Sequence, residues 1–177
     1  MKSKPSLLAV LLLSLFCRVS GADPAAFQAF AESVSAVSCG HYGLQPSRIL
    51  IPGHPPFTGR RGLNVMATQG DRVILRDRFD TYRFEEESDR LAASIAALPP
   101  GTMIVVVAHD DATRRLNDSA RNALNGIGAG EGLRRLQYRD AYLLIGMKGL
   151  GRGRGIEKAG VGERVHGEFR VSPTPGL

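Results

Sequence analysis

The sequence has no tryptophan and only two cysteines in 177 residues. Cys17 falls in an N-terminal segment expected to be removed, which leaves Cys39 without an intramolecular partner. That excludes the disulfide-stapled scaffolds of small secreted chains, so the fold must rest on an apolar core. Cys39 is then either a buried small hydrophobe or half of an intermolecular bridge, giving a monomer or a Cys39-linked dimer. Long apolar runs are lacking too. Residues 7–16 are apolar apart from Ser14, which is too short for a membrane-spanning helix, and no later segment does better. No span is expected.

An excess of charge over the body of the chain is also missing. The net charge is +6, of which Lys2, Lys4 and Arg18 supply three with no acid beside them. The segment from Lys148 onward carries the other three, so residues 23–147 are neutral. Nucleic-acid binding needs a clustered basic stripe. A neutral body predicts none, and no nucleic-acid partner is expected.

What is present begins with an export pattern. Lys2 and Lys4 precede the apolar run, and Ser20-Gly21-Ala22 offers small residues for cleavage. This predicts a signal peptide over residues 1–22 and a mature start at Asp23, hence a secreted protein, or a periplasmic one if bacterial. Phe16 before Cys17 argues against a lipoprotein site.

The remainder reads as a mixed α/β domain. Residues 23–38 fit a helix opened by Asp23-Pro24, with Phe27, Phe30, Val34 and Val37 at helical spacing, yet residues 33–38 also alternate like a strand. Residues 48–51 predict a short strand, and residues 52–62, rich in Pro and Gly, a loop. Leu63, Val65 and Ala67 alternate with Asn64, Met66 and Thr68; a turn at Gln69-Gly70-Asp71 leads to Val73, Leu75 and Phe79, which alternate with Arg72, Arg76 and Arg78. That is a hairpin with an edge-like second strand. Residues 85–98 predict an amphipathic helix with Leu91, Ile95 and Leu98 inward, ended by Pro99-Pro100-Gly101. The unbroken apolar residues 103–108 predict a strand buried on both faces. A helix is expected from there to Ile127, then a turn over residues 133–136 and a second central strand over residues 141–145. Residues 146–155 predict a flexible Gly/Arg loop, and residues 163–171 an edge strand.

Chemical motifs are sparse. Gly151-Arg152-Gly153-Arg154-Gly155 lacks the strand–helix setting and the Lys-Ser/Thr of a phosphate loop. His41, His54, His109 and His166 stand in no metal-ligand spacing, so neither a metal nor a cofactor is expected. His109-Asp110-Asp111 is the one cluster of titratable groups. It could serve a hydrolase as base and metal ligands, or be structural, with Asp111 capping the next helix and Asp110 paired to an Arg. Tyr138-Arg139-Asp140 could be a structural pair or present Arg139 to a ligand.

Six blocks in order carry a resemblance: Arg61-Gly62-Leu63-Asn64-Val65, Phe79-Asp80-Thr81-Tyr82, Leu98-Pro99-Pro100-Gly101-Thr102, His109-Asp110-Asp111-Ala112, Tyr138-Arg139-Asp140 and Ile145-Gly146-Met147-Lys148-Gly149. This series resembles the interleukin-like EMT inducer domain, also called the pancreatic-derived-factor-like domain, over residues 59–150. That family includes secreted cytokine-like proteins, the stem domain of protein O-mannose N-acetylglucosaminyltransferase, and modules of hyaluronan-processing cell-surface proteins. The resemblance implies a compact ββα globule of mixed, mostly antiparallel sheet layers flanked by helices. Residues 23–58 would be an extension packing on that domain, and residues 151–177 a Gly/Arg/Pro-rich segment.

The resemblance further implies a non-catalytic, lectin-like domain whose glycan contacts fall on Arg61, Asp110 and Arg139. A secreted signalling or protein-interaction factor with a protein receptor is the alternative. The family's aromatic Trp is missing here, and Tyr138 and Tyr142 are the nearest substitutes for stacking on a sugar. For Asp110 and Arg139 to share a site, the two central strands must run antiparallel.

Overall fold

The structure, a computed structural model, describes residues 23–41, 46–160 and 168–171. The expected signal peptide lies outside the described residues. Helix α1 (Pro24–Ser33) leads into strands β1 (Ser35–Gly40), β2 (Arg48–Leu50), β3 (Phe57–Thr58), β4 (Gly62–Gln69) and β5 (Arg72–Phe79). Then come α2 (Glu86–Ala96), β6 (Met103–Asp110), α3 (Asp118–Gly126), α4 (Glu131–Arg135), β7 (Tyr142–Met147), β8 (Ile156–Ala159) and β9 (Glu168–Val171). The domain is mixed α/β, and every strand pair is antiparallel except β1 with β6.

The central strand is β6, flanked by β4 and β7, with β5 beyond β4 and β8 beyond β7. Alternation sends its side chains into two cores. Ile104, Val106 and Ala108 join Leu63, Val65, Leu91, Ile95, Leu124 and Leu144 under α2 and α3. Val105 and Val107 join Met66, Leu143 and Ile145 against α1 and β1–β3, where Phe27, Ala36, Ile49 and Phe57 close the other side. The sheet is therefore covered on both faces. This is why Asn64, Met66 and Thr68, the second set in the β4 alternation, are as buried as the first. Asn64 is accommodated there because its amide donates to the Arg60 carbonyl and accepts from the Arg60 N–H.

Several local expectations are corrected. Residues 23–38 are both a helix and a strand in succession: Asp23 caps α1 through its side chain, and Val34 already has extended backbone. The loop over residues 52–62 contains β3, paired to β2. The helix after β6 starts only at Asp118, because Asn117 is its cap, accepting from the Ala120 N–H. Asp111 instead accepts from the Thr113 N–H and hydroxyl in a local turn. The Gly/Arg loop is tied down: Gly153 and Gly155 donate to the carbonyls of Ala129 and Gly128, and β8 follows. The last strand is described only over Glu168–Val171, against β1.

Beyond Val107, β1 approaches β6 on the side where β7 pairs with it further down. Cys39 and Gly40 pair with His109 and Asp110, and the Ser38 hydroxyl bridges the fork. It donates to the Ala108 carbonyl of β6 at 2.8 Å and accepts from the Tyr142 N–H of β7 at 2.9 Å. Cys39 is buried in this fork and forms no disulfide among the described residues.

Candidate functional site

The β6–β7 pair is antiparallel, with Val105 opposite Ile145 and Val107 opposite Leu143. The segment carrying α3 and α4 brings the chain back to do this. The end of β6 and the start of β7 therefore lie at the same end of the sheet. Gly62 at the start of β4 pairs with His109, and Leu63 with Phe79 at the end of β5. One end of the sheet thus gathers five chain segments, bearing Arg61, Asp80, Asp110, His41 and Arg139. The sequence-predicted set of Arg61, Asp110, Arg139 and Tyr138 is brought to this end together.

Arg61 is held by Asp80 through two hydrogen bonds, Nε to Oδ1 at 3.1 Å and Nη2 to Oδ2 at 2.7 Å. Its guanidinium also lies 5.0 Å from the centre of the Tyr82 ring, and Arg114 lies 5.5 Å from the same ring. The bonds to Asp80 raise the Arg61 pKa further, and the charge of Asp110 adds to that effect. The ion pair of Arg61 is with Asp80 and not with Asp110.

Asp110 pairs with the His41 ring at 2.6 Å, Oδ1 to Nδ1, rather than with an arginine as the sequence suggested. The pair is partly exposed, so it contributes little to stability and can open to a ligand. Asp110 has φ +58° and Arg139 φ +65°. They are the only non-glycine residues with positive φ among the described residues. Arg139 is the third residue of a turn closed by the Asp140 N–H on the Gln137 carbonyl. That position favours Gly or Asn when φ is positive. Asp140 is buried and accepts from the Gln137 N–H, which fixes the turn. The Arg139 guanidinium lies 4.8 Å from the ring centre of the exposed Tyr138.

Gly40 sits between the two strained residues. It pairs with Asp110, and a Cβ on it would overlap the carbonyl oxygen of Arg139. Gly40→Ala is expected to push the Arg139 turn away and to destabilise the fold by about 1–3 kcal/mol, the usual cost of overpacking. A thermal melt against the parent checks this; an unchanged midpoint would show that the turn gives way freely.

The structure does not bring His109, Asp110 and Asp111 together. Ser47 stands at His109 Nδ1, which accepts from the Ser47 N–H at 3.4 Å; burial pushes the ring pKa below its ordinary value. Asp110 is on His41 and Asp111 on Thr113. Tyr142 is corrected as well. It is fully buried, its hydroxyl donates to Glu157 at 2.8 Å, and it offers no face to a sugar. His41, Asp80, Tyr82 and Arg114 were not singled out as site residues. Only the Phe79-Asp80-Thr81-Tyr82 block hinted at two of them.

The family model described as interleukin-like EMT inducer matches residues 61–150, just over half of the chain. The chain belongs to that family. Among its relatives, the mouse and human proteins named cell migration-inducing and hyaluronan-binding protein are each 37% identical over 93 residues, which is 51% of this chain and 7% of theirs. Cell surface hyaluronidase of Danio rerio is 30% identical over 95 residues, covering 52% and 7%. Human Protein FAM3B is 32% identical over 103 residues, covering 57% and 43%. The chain thus spans less than half the length of each of these relatives. In this interleukin-like EMT inducer domain, Gly40 and His41 lie outside the matched span, yet they complete the site end. No helix among the described residues is long and apolar enough to cross a membrane.

Proposed function

We propose that this domain is a secreted, non-catalytic carbohydrate-recognition module, and that Arg61, Asp110, Arg139 and Tyr138 contact the sugar. The observation that carries this reading is the backbone strain. Left-handed conformations on non-glycine residues cost about 1–3 kcal/mol each, and such outliers cluster at functional sites. Here both belong to the candidate set, and both flank Gly40.

The side chains suit sugar hydroxyls. Arginine offers a rigid fork of donors, aspartate offers acceptors, and the exposed Tyr138 ring offers an apolar face with a polar edge. Relatives named for hyaluronan binding and for hyaluronidase activity support a carbohydrate ligand. The dispersed partners of His109, Asp110 and Asp111 support recognition over hydrolysis.

Arg139→Gly tests the reading. Glycine suits the left-handed turn, so the melting midpoint should move by no more than about 4 °C, equivalent to about 1 kcal/mol or less. Loss of the fork should weaken binding to the glycan selected on an array at least tenfold, read by titration calorimetry. Parent protein that binds no glycan would overturn the proposal in favour of a protein-interaction factor. A large loss of stability in Arg139→Gly would make Arg139 a structural tie.

A further inference from the structure

The chain holds four asparagines, and only Asn117 is followed two residues later by a hydroxyl amino acid. Asn117-Asp118-Ser119 is an acceptor sequence for an N-linked sugar, with no proline at its middle position to block it. On a secreted chain such a sequence belongs in a surface segment. The fold meets that condition. Asn117 ends the connection from β6 to α3, with extended backbone at φ −84° and ψ 175°. Asp118 and Ser119 follow it in the first turn of α3, and both are exposed.

The bonds of the Asn117 side chain decide whether a sugar fits. Its Oδ1 caps α3, accepting from the Ala120 N–H at 3.1 Å. Glycosylation adds nothing to this oxygen, so the cap survives. Its Nδ2 donates to Asp89 Oδ1 of α2 at 2.9 Å. Asp89 is exposed, which places Nδ2 at the surface rather than against the core. The amide nitrogen has two hydrogens, and a sugar replaces one of them. The remaining N–H is available to Asp89, and where it is not, water takes its place at little cost.

We infer that Asn117 carries an N-linked glycan. The inference rests on the proposed secretion of the chain and not on its carbohydrate binding. The co-reactant is an oligosaccharide on a polyprenyl pyrophosphate, delivered by the transferase of the secretory pathway. Asn117 Nδ2 forms a bond to the anomeric carbon as the bond from that carbon to the pyrophosphate breaks. The pyrophosphate leaves with the electron pair, and Nδ2 gives up one proton to a base of the transferase. The sugar then stands over the first turns of α2 and α3, beside the loop that carries Asp80 and Tyr82, because the Arg115 N–H donates to the Thr81 carbonyl there. Its bulk keeps a protein partner off that face.

The test expresses the full chain from Met1 in cultured animal cells and treats the secreted protein with peptide-N-glycosidase. That enzyme hydrolyses the sugar–amide bond and leaves aspartate at position 117. Treated parent should migrate faster on a gel, and peptide mass spectrometry should find the new aspartate. Ser119→Ala removes the acceptor sequence without touching the Asn117 cap, and the gel shift should vanish. Ser119→Thr keeps the sequence and should keep the shift. Secreted parent that shows no shift overturns the inference and leaves secretion standing, whereas parent that stays in the cells overturns both. A shift that persists in Ser119→Ala also overturns it, since the sugar would then sit elsewhere.

Discussion

Val105→Asp should yield no cooperatively folded protein. Val105 is fully buried at the centre of β6, opposite Met66 on β4 and Ile145 on β7. Its neighbours in the second core are Val107, Leu143, Ala36, Ile49 and Phe57, all apolar. Burying the valine is worth about 1.5–3 kcal/mol, which the aspartate forfeits. The carboxyl must then stay charged without a partner or take up a proton, and an unbonded polar group adds several kcal/mol more, about 2–7. Domains have only about 5–15 kcal/mol in hand. The expected outcome is loss of the near-ultraviolet circular dichroism signal and of the melting transition, with most protein insoluble. Soluble Val105→Asp protein with a sharp melt near the parental midpoint would mean that β6 is not the central strand.

Glu157→Ala should be the costliest substitution outside the apolar cores. Helix α4 begins at Glu131 with no side-chain cap of its own, because Gly130 stands at the cap position. Glu157 on β8 takes over that role from a distant part of the chain. Its carboxylate accepts from the N–H groups of Gly132 and Leu133, each at 2.8 Å, and from that of Gly130 at 3.2 Å. The Tyr142 hydroxyl donates to it as well, at 2.8 Å. Gly132 is required for this, because a Cβ there would overlap the Glu157 carboxylate. Burial, and then the Glu157 charge, push the Tyr142 phenol well above its ordinary pKa, so it remains a donor.

Hydrogen bonds to a charged group are each worth about 1.5–3 kcal/mol, and a stranded buried donor costs about 1–3 kcal/mol. Several share one half-exposed carboxylate here, so the sum is not additive, and a loss of about 3 kcal/mol is expected. That corresponds to a midpoint lower by about 6–12 °C. Urea unfolding of Glu157→Ala and Glu157→Gln checks it. Glutamine keeps one acceptor oxygen and should lose less. A change below about 1 kcal/mol in the alanine variant would mean that water replaces the carboxylate at the α4 end.

The sequence carried signals wherever structure depends on near neighbours. Leu91, Ile95 and Leu98 at helical spacing marked α2, and the run from Met103 to Ala108 marked a strand covered on both sides. It carried little for β8, where three residues are half-exposed, Lys158 is exposed and no clean alternation shows. The start of α3 was misread because Asp111 and Asn117 are both capping residue types. Which one caps depends on where the chain leaves β6, and Asp111 is used instead in a turn with Thr113.

The candidate site divides the same way. Arg61, Asp110 and Arg139 were legible as polar residues standing where apolar strands stop, within blocks that resemble a known family. Their grouping was not. It required β6 and β7 to be antiparallel, and β1 to enter parallel at the fork. The Arg61–Asp80 pair spans 19 residues and the His41–Asp110 pair 69, separations that leave no local pattern.

By itself, then, the sequence determined composition-level facts, the periodic elements and the order of the family blocks, because each is set by residues adjacent along the chain. Only the tertiary structure decided that Asp110 and Arg139 take left-handed backbone around Gly40, and that Glu157 caps a helix it does not belong to. Strand pairing brings distant residues to neighbouring positions, and alternation assigns each side chain to one face. Neither operation can be read from net charge or from local spacing.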